Sequence, residues 1–156
     1  MTQPELETPP ESGLGGWLLV FSIFLWALMG REALALLKIA EGFTQGVDAL
    51  QLRPYSIVYG GRLAINGGFV GLLVVSIVLM HLRRVSFLRW GQLAMLCLIL
   101  LPVLEYLWLT VAPWPGTMLG FLGTFAVWML VHLVIGGAWL RYLRTSKRVA
   151  ATFVRS

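Results

Sequence analysis

The sequence has little charge and almost no cysteine. Only 12% of its 156 residues are charged and 58% are hydrophobic, whereas a typical soluble domain has about 25% charged residues. A soluble core of this length cannot bury so much apolar surface, which excludes an ordinary soluble domain. The scarcity of long polar stretches excludes intrinsic disorder. With Cys97 as its one cysteine, the chain cannot form an intramolecular disulfide, and we predict an integral membrane protein.

Catalytic and metal-binding motifs are also missing from the sequence. It contains no G-x-S-x-G, S-x-x-K, G-x-G-x-x-G or Walker pattern, which are typical of hydrolases and nucleotide-binding proteins. His81 and His132 lie at different predicted depths and belong to no H-x-x-x-H, E-x-x-H or Cys–His cluster. We therefore expect that the protein is not an enzyme and uses neither a metal nor a cofactor.

Four apolar segments are present, and each is long enough to cross the bilayer. A helix needs about 20 apolar residues to span about 30 Å of hydrocarbon, and residues 15–37, 63–82, 92–112 and 117–140 meet that requirement. Alternation of polar and apolar residues is absent, which disfavours a transmembrane barrel. The predicted fold class is an all-α integral membrane four-helix bundle.

The two ends of the chain differ from this transmembrane domain, which covers residues 15–143. Residues 1–14 are rich in Pro and Glu and contain no Lys or Arg, so we expect a mobile acidic tail and a first span that is retained, not cleaved as a signal. Residues 144–156 form a basic juxtamembrane segment. Its expected contacts with the membrane surface or a partner come from Arg144, Lys147, Arg148 and Phe153.

The basic residues indicate the orientation of the bundle. The link after the second span and the C-terminal tail hold most of the Lys and Arg, whereas the link at residues 112–116 has none. Because cytoplasmic loops carry the positive excess, both termini are predicted to face the cytoplasm. The net charge of +5 is thereby explained by topology, and nucleic acid is not an expected partner.

The link between the first and second spans, residues 38–62, is the exception to this charge pattern. It carries Lys38, Arg53 and Arg62 yet must lie outside. Gly42, Gly46 and the Arg53–Pro54 step are expected to break any single helix. We predict a connector with an amphipathic stretch on the outer membrane surface.

Glu105 is the most unusual residue within a span. A carboxylate in hydrocarbon is costly and normally faces a partner inside the bundle. Helical rise places Glu105 about 10 Å below the outer end of its helix, where Asn66 is the nearest expected partner, and Arg31 or Arg62 could reach it from the edge. His132 differs from it in depth by about 6 Å, so this pair could relay a proton or hold a cation. The alternative is that these polar groups only fix helix packing.

Two G-x-x-x-G spacings indicate close helix packing. Gly67 and Gly71 lie on the second span, and Gly116 and Gly120 lie at the start of the fourth. Both pairs fall in the outer halves of helices that run in the same direction. They are expected to meet inside one bundle or to form a dimer contact.

Short motifs at the chain ends resemble a known family. The motif GGWLL covers residues 15–19, RRVSF follows the second span at residues 83–87, and YL-x-x-SKRV-x-x-TFV covers residues 142–154. This combination resembles the DUF2569 family of small bacterial four-helix membrane proteins, whose function is unknown. The resemblance implies a multi-pass protein of the bacterial inner membrane and implies no chemistry.

Three functions remain open on the sequence. The first is a non-catalytic accessory protein or subunit that packs in the bilayer against a larger membrane partner or a second copy of itself. The second is a proton-coupled carrier or small-solute transporter that uses Glu105 and His132, with Asn66. The third is a lipid- or quinone-binding protein that uses the tryptophans near the span ends.

Overall fold

The computed structural model describes residues 16–47, 53–112 and 122–153. These parts of the chain form helices joined by short turns and contain no strand. The helices are α1 (Trp17–Val47), α2 (Arg53–His81), α3 (Phe87–Val111), α4 (Leu122–Thr145) and α5 (Lys147–Phe153).

Four of these helices are long and apolar enough to cross a membrane. The candidate spans are Trp17–Gly42, Ile57–His81, Phe87–Val111 and Gly123–Thr145. Such surfaces belong in a lipid bilayer, because each span exposes large apolar side chains on the outside of the bundle. The prediction of an all-α integral membrane four-helix bundle is confirmed, and the protein is a small multi-pass membrane protein. The side of the membrane that holds the termini stays a prediction.

Helices α1 and α2 are both longer than the spans expected from hydropathy. α1 continues to Val47 and α2 begins at Arg53, so most of the expected connector at residues 38–62 is helical. Gly42 does not end α1, because it packs against the ring of Tyr59 on α2, which a Cβ at Gly42 would meet at 3.0 Å. Pro54 lies in the first turn of α2, where its missing N–H leaves no helical hydrogen bond unmade.

Consecutive helices pack side by side, α1 on α2, α2 on α3 and α3 on α4. α1 and α4 instead meet mainly through long side chains. The ring of Trp139 on α4 lies 4.8 Å from that of Phe21 and 5.3 Å from that of Phe24. This aromatic contact belongs to an apolar core that fills the half of the bundle next to α5. We call that half the α5 end and the opposite half the cavity end.

Helix α5 packs beneath the bundle. Phe153 has no exposed surface and its ring lies 4.5 Å from that of Phe87, while Val149 is 1% exposed. These two residues are four apart and so share one helical face. That face packs on the core, where lipid would otherwise contact it. The expectation that Phe153 contacts the membrane surface is therefore wrong. Arg144 and Lys147 are exposed and stay candidates for that contact.

Arg148, the fourth residue of the expected surface contact, lies against the start of α1. A Cβ at Gly16 would approach its Nη1 atom to 3.2 Å, and its Nε is buried. Arg148 therefore lies between the C-terminal helix and the first span, and is only partly exposed.

The predicted glycine contacts are not where helices come closest. A Cβ at Gly71 would meet nothing within 4 Å, and one at Gly67 would touch only Leu36 Cδ1 at 4.0 Å. Gly71 therefore brings no helix close inside this bundle, because it faces outward from α2. The expected dimer contact through this pair stays a prediction, and Gly116 and Gly120 lie outside the described residues.

Close approach occurs instead at Gly61 and Gly136. A Cβ at Gly61 would collide with the ring of Trp108, which crosses from α3 and donates a hydrogen bond from Nε1 to the Val58 carbonyl at 3.1 Å. A Cβ at Gly136 on α4 would lie 2.6 Å from Ile99 Cγ1 on α3. These glycines let α3 pack closely on α2 at one end and on α4 at the other.

We expect Gly136→Ala to destabilise the protein by about 1–3 kcal/mol, because the added methyl must push Ile99 or the two backbones apart. Its neighbour supplies the control, since a Cβ at Gly137 meets nothing within 4 Å. Gly137→Ala should leave the melting temperature unchanged or slightly higher. Thermal unfolding in detergent measures both, and equal effects of the two substitutions would contradict the packing described here.

Candidate functional site: a polar cavity between the four helices

A cavity of about 540 Å³ lies at the cavity end, with residues of α1, α2, α3 and α4 in its lining. Five charged side chains line it, together with Asn66 and His132. They are Arg31, Glu32, Lys38, Arg62 and Glu105. The remaining lining is largely apolar or aromatic, as in ligand pockets that hold a few placed polar groups.

Glu105 is held by residues of the neighbouring helix α2. Asn66 donates from Nδ2 to Glu105 Oε1 at 2.6 Å and also contacts the Arg62 carbonyl oxygen at 3.0 Å. Arg62 Nη2 lies 3.8 Å from the same Oε1 atom, which is an ion pair but too long for a hydrogen bond. The structure thus brings Glu105 together with Asn66 and Arg62, both of which the predicted depths had suggested as partners.

His132 lies in a second polar group, which joins α1 to α4. Its Nε2 is 3.4 Å from Arg31 Nη2, and its Nδ1 is 2.8 Å from the Trp128 carbonyl oxygen. A carbonyl only accepts and a guanidinium only donates, so these contacts assign the proton to Nδ1 and leave Nε2 as the acceptor. Arg31 also lies over the Trp128 ring, with Cζ 5.2 Å from its centroid, and pairs with Glu32 at 2.8 Å.

The expected pair of Glu105 and His132 is not a direct contact. Both residues line the cavity, but no hydrogen bond or ion pair joins them in the part of the chain that the structure describes. Glu105 faces Asn66, whereas both ring nitrogens of His132 already have partners. A proton relay between the two would need a bridging molecule in the cavity.

Glu32 is a site residue that the hydropathy pattern did not reveal. Charged residues such as Arg31 and Glu32 usually mark the interfacial end of a span, yet α1 continues beyond them and Glu32 is only 2% exposed. A signal was present in the spacing. Leu18, Leu25, Glu32 and Ile39 follow one another every seven residues and all are buried, which is the repeat of a helix seam that faces its neighbours.

The apolar wall of the cavity comes mainly from α3 and α4. Leu101 and Pro102 on α3 contribute to it, and the ring of Tyr106 stacks on Phe125 of α4 at 4.4 Å. These residues lie one helical turn or less from Glu105 or Trp128, so charged and apolar surfaces alternate around the same space. Such a lining can accommodate a molecule with a polar head and an apolar body.

Metal binding receives no support from the described residues. Among them, no group of three or more His, Cys, Asp or Glu side chains is close enough to hold a metal ion. Glu32, Glu105 and His132 all face the cavity but have arginine or asparagine partners.

Comparison with known proteins gives one match, which covers nearly the whole chain. The model of a family described as "Protein of unknown function (DUF2569)" matches residues 11–154. No curated protein and no solved structure gives a significant match.

The hydrogen bond between Asn66 and Glu105 can be measured by a double-mutant cycle. We expect Asn66→Ala and Glu105→Ala to be coupled by about 0.5–2 kcal/mol, because each single substitution leaves the partner unsatisfied within the bundle. Unfolding free energies of the two single variants and the double variant give the coupling.

Thr110→Ala is the matched control on α3, since its hydroxyl is exposed and donates only to the Leu107 carbonyl of its own helix. Its effect should add to that of Asn66→Ala. If the effects of Asn66→Ala and Glu105→Ala were also additive, the hydrogen bond would not contribute to the stability of the contact between α2 and α3.

Proposed function

The chain belongs to the DUF2569 family of unknown function, and we propose that it is a non-catalytic protein of the bacterial inner membrane that binds an amphiphilic molecule, a lipid or a quinone, in its cavity. One observation carries this proposal. Five charged side chains line a cavity of about 540 Å³ within a bundle of apolar spans. Cavities of about 300–1,000 Å³ are the usual size of sites for small ligands.

A purely structural role accounts for part of this arrangement only. Charged residues inside a membrane span are costly, so a bundle that needed polar contacts only for packing would close directly around them. The contact between Asn66 and Glu105 is a direct packing contact of this kind. Packing does not explain the cavity beside it, because a space between helices forfeits the dispersion contacts of the side chains around it.

The contacts of His132 favour binding over catalysis or proton transfer. Its Nδ1 is bound to a carbonyl and its Nε2 faces a guanidinium, so neither nitrogen is placed to take a proton from Glu105. A proton-coupled carrier based on Glu105 and His132 is therefore the weaker hypothesis. Binding needs no cofactor and no group other than those already in the lining.

Filling the cavity should abolish ligand retention. Ala35 lines the cavity, so Ala35→Phe is expected to displace a bound amphiphile, whereas Ala27→Phe, at an exposed position of the same helix, should not. The measurement is native mass spectrometry of the protein released from bacterial membranes, with retained small molecules identified by mass.

Two outcomes would count against binding in the cavity. One is a wild-type protein that retains no lipid or quinone, and the other is equal retention by the Ala35→Phe and Ala27→Phe variants. In liposomes, a proton or solute flux that disappears in Glu105→Gln would favour the carrier instead.

The accessory role is a second proposal, and α4 supports it. Only 11% of its apolar window is buried inside the bundle, against 28–33% for the other spans, and it packs side by side with α3 alone. Val127, Leu130 and Val134 form one exposed face of α4. A face of this kind suits a helix of a larger membrane protein or of a second copy of the chain.

Disrupting that face should release a partner. We expect a protein that co-purifies at native abundance to be lost from a Leu130→Trp/Val134→Trp variant, because bulky rings prevent close helix approach. The matched variant Val74→Trp/Val78→Trp alters exposed residues of α2 and should keep the partner. Sizing after mild detergent extraction checks this, and a lone monomer in the wild type would rule out the accessory role.

A further inference from the structure

The cavity holds more positive than negative charge. Arg31, Lys38 and Arg62 face Glu32 and Glu105 in its lining. His132 adds no charge in the tautomer that its contacts assign. Each carboxylate has an arginine within ion-pair distance, so the surplus cation is Lys38, which makes no ion pair with any described residue.

Arg62 has a hydrogen-bond donor that no described residue uses. Its Nε is buried and has no hydrogen-bond partner among the described residues, and Glu105 Oε1 lies 3.8 Å from its Nη2. A guanidinium offers five donors in a planar fork that matches carboxylate and phosphate oxygens. The Arg62 side chain, which is 33% exposed at the cavity wall, is therefore placed to bind an anion in addition to Glu105.

Lys38 and Arg62 lie near the ends of their candidate spans. Lys38 is four residues inside the end of the first candidate span at Gly42, and Arg62 is five residues inside the end of the second at Ile57. Helical rise puts both about 6–8 Å within those span ends. An anion bound there would sit where the polar head of a membrane amphiphile meets the hydrocarbon.

The contact line between α1 and α4, which we call the α1–α4 seam, leads from this point into the lipid. α1 and α4 are bridged at Phe24 by Trp139 and at Arg31 by Trp128 and His132, without the close packing seen between consecutive helices. The side chain of Arg31 and the residue Trp128 are both 48% exposed. The seam is thus closed by side chains, with Arg31 and Trp128 on its exposed side next to the cavity, and side chains can move more readily than two packed backbones.

We propose that the cavity binds the anionic headgroup of a single amphiphile, a carboxylate or a phosphate monoester, through Arg62 and Lys38, with its hydrocarbon tail passing out between α1 and α4 at Arg31 and Trp128. The inference rests on the proposed binding function and names the class of ligand. The headgroup balances the surplus positive charge and accepts hydrogen bonds from Arg62. The tail occupies apolar lining such as Leu101 and Phe125 and then reaches lipid without crossing the closed core at the α5 end.

The test is a titration of the full chain in dodecyl maltoside with four probes, followed by tryptophan fluorescence and melting temperature. Dodecyl phosphate and dodecanoate should bind saturably, whereas inorganic phosphate and dodecyltrimethylammonium should not. Arg62→Gln and Lys38→Gln should each weaken binding of the anionic amphiphiles by about tenfold to a hundredfold, the usual value of a hydrogen bond to a charged group. Arg62→Lys keeps the positive charge and should recover part of the lost affinity. That recovery would show that the loss in Arg62→Gln comes from the missing charge and not from misfolding.

Arg141→Gln is the matched control, because Arg141 is exposed on α4 outside the cavity, and its dissociation constants should equal those of the wild type. The tail path is tested with stearate that carries a nitroxide at carbon 5. Its quenching of tryptophan fluorescence should fall in Trp128→Phe, and unchanged quenching would overturn the proposed path between α1 and α4.

Failure of this inference differs from failure of the proposed function. Dodecyltrimethylammonium that binds as tightly as dodecyl phosphate, with no effect of Arg62→Gln but with loss in Ala35→Phe, would overturn the anionic headgroup and keep the cavity as a binding site. Tight binding of inorganic phosphate alone would overturn the amphiphile. If Ala35→Phe and Arg62→Gln both bound every probe like the wild type, the headgroup assignment and cavity binding would fall together.

Discussion

A carboxylate inside an apolar bundle needs a donor, and Glu105 finds one in Asn66 at 2.6 Å. This contact fixes α3 to α2 at the cavity end, beyond most of the apolar core. Arg31 does the same for α1 and α4 through His132 and Trp128. The bundle is therefore held by two kinds of interaction. Aromatic and aliphatic packing joins the helices at the α5 end, and polar pairs join them around the cavity.

These two regions differ in how they respond to loss of one contact. A packed core loses stability in proportion to the apolar volume removed, whereas an unpaired polar group in a membrane leaves its partner unsatisfied. Glu32, Asn66 and His132 are each less than 5% exposed, so none of them can turn to bulk water when its partner is removed. Removal of one polar partner at the cavity end consequently leaves the other polar group buried and unsatisfied.

The sequence was sufficient to predict the features that depend on one helix at a time. Four spans follow from the length of apolar runs, and the approach of Asn66 to Glu105 follows from helical rise and depth. Features that depend on where a face points were not predictable from hydropathy. Phe153 was expected at the membrane surface, but hydropathy alone does not distinguish a face that meets lipid from one that covers the core. Gly71 has a suitable spacing, yet its orientation toward lipid is set by the rest of α2.

The sequence contains two opposing indications of where Glu32 lies. Its charge suggested the end of a span, because charged residues usually mark the membrane surface, while its position in the seven-residue repeat of Leu18, Leu25 and Ile39 placed it in the interior. The repeat was the stronger indicator, since it reflects the geometry of the whole helix and charge reflects one side chain. A charged residue that interrupts a buried repeat is therefore better interpreted as a member of a polar site than as a helix end.

The cavity is costly for a protein that needs only to fold. Buried ion pairs can often be replaced by apolar residues of similar volume without loss of stability, and filling the space would recover dispersion contacts. α1 nevertheless carries Arg31, Glu32 and Lys38 toward the same space that Arg62 and Glu105 reach from α2 and α3. Three separate helices converge on that space with more charge than their mutual pairing uses. The surplus charge at Lys38 and the Arg62 Nε, which has no hydrogen-bond partner among the described residues, support the proposal that this site receives a ligand.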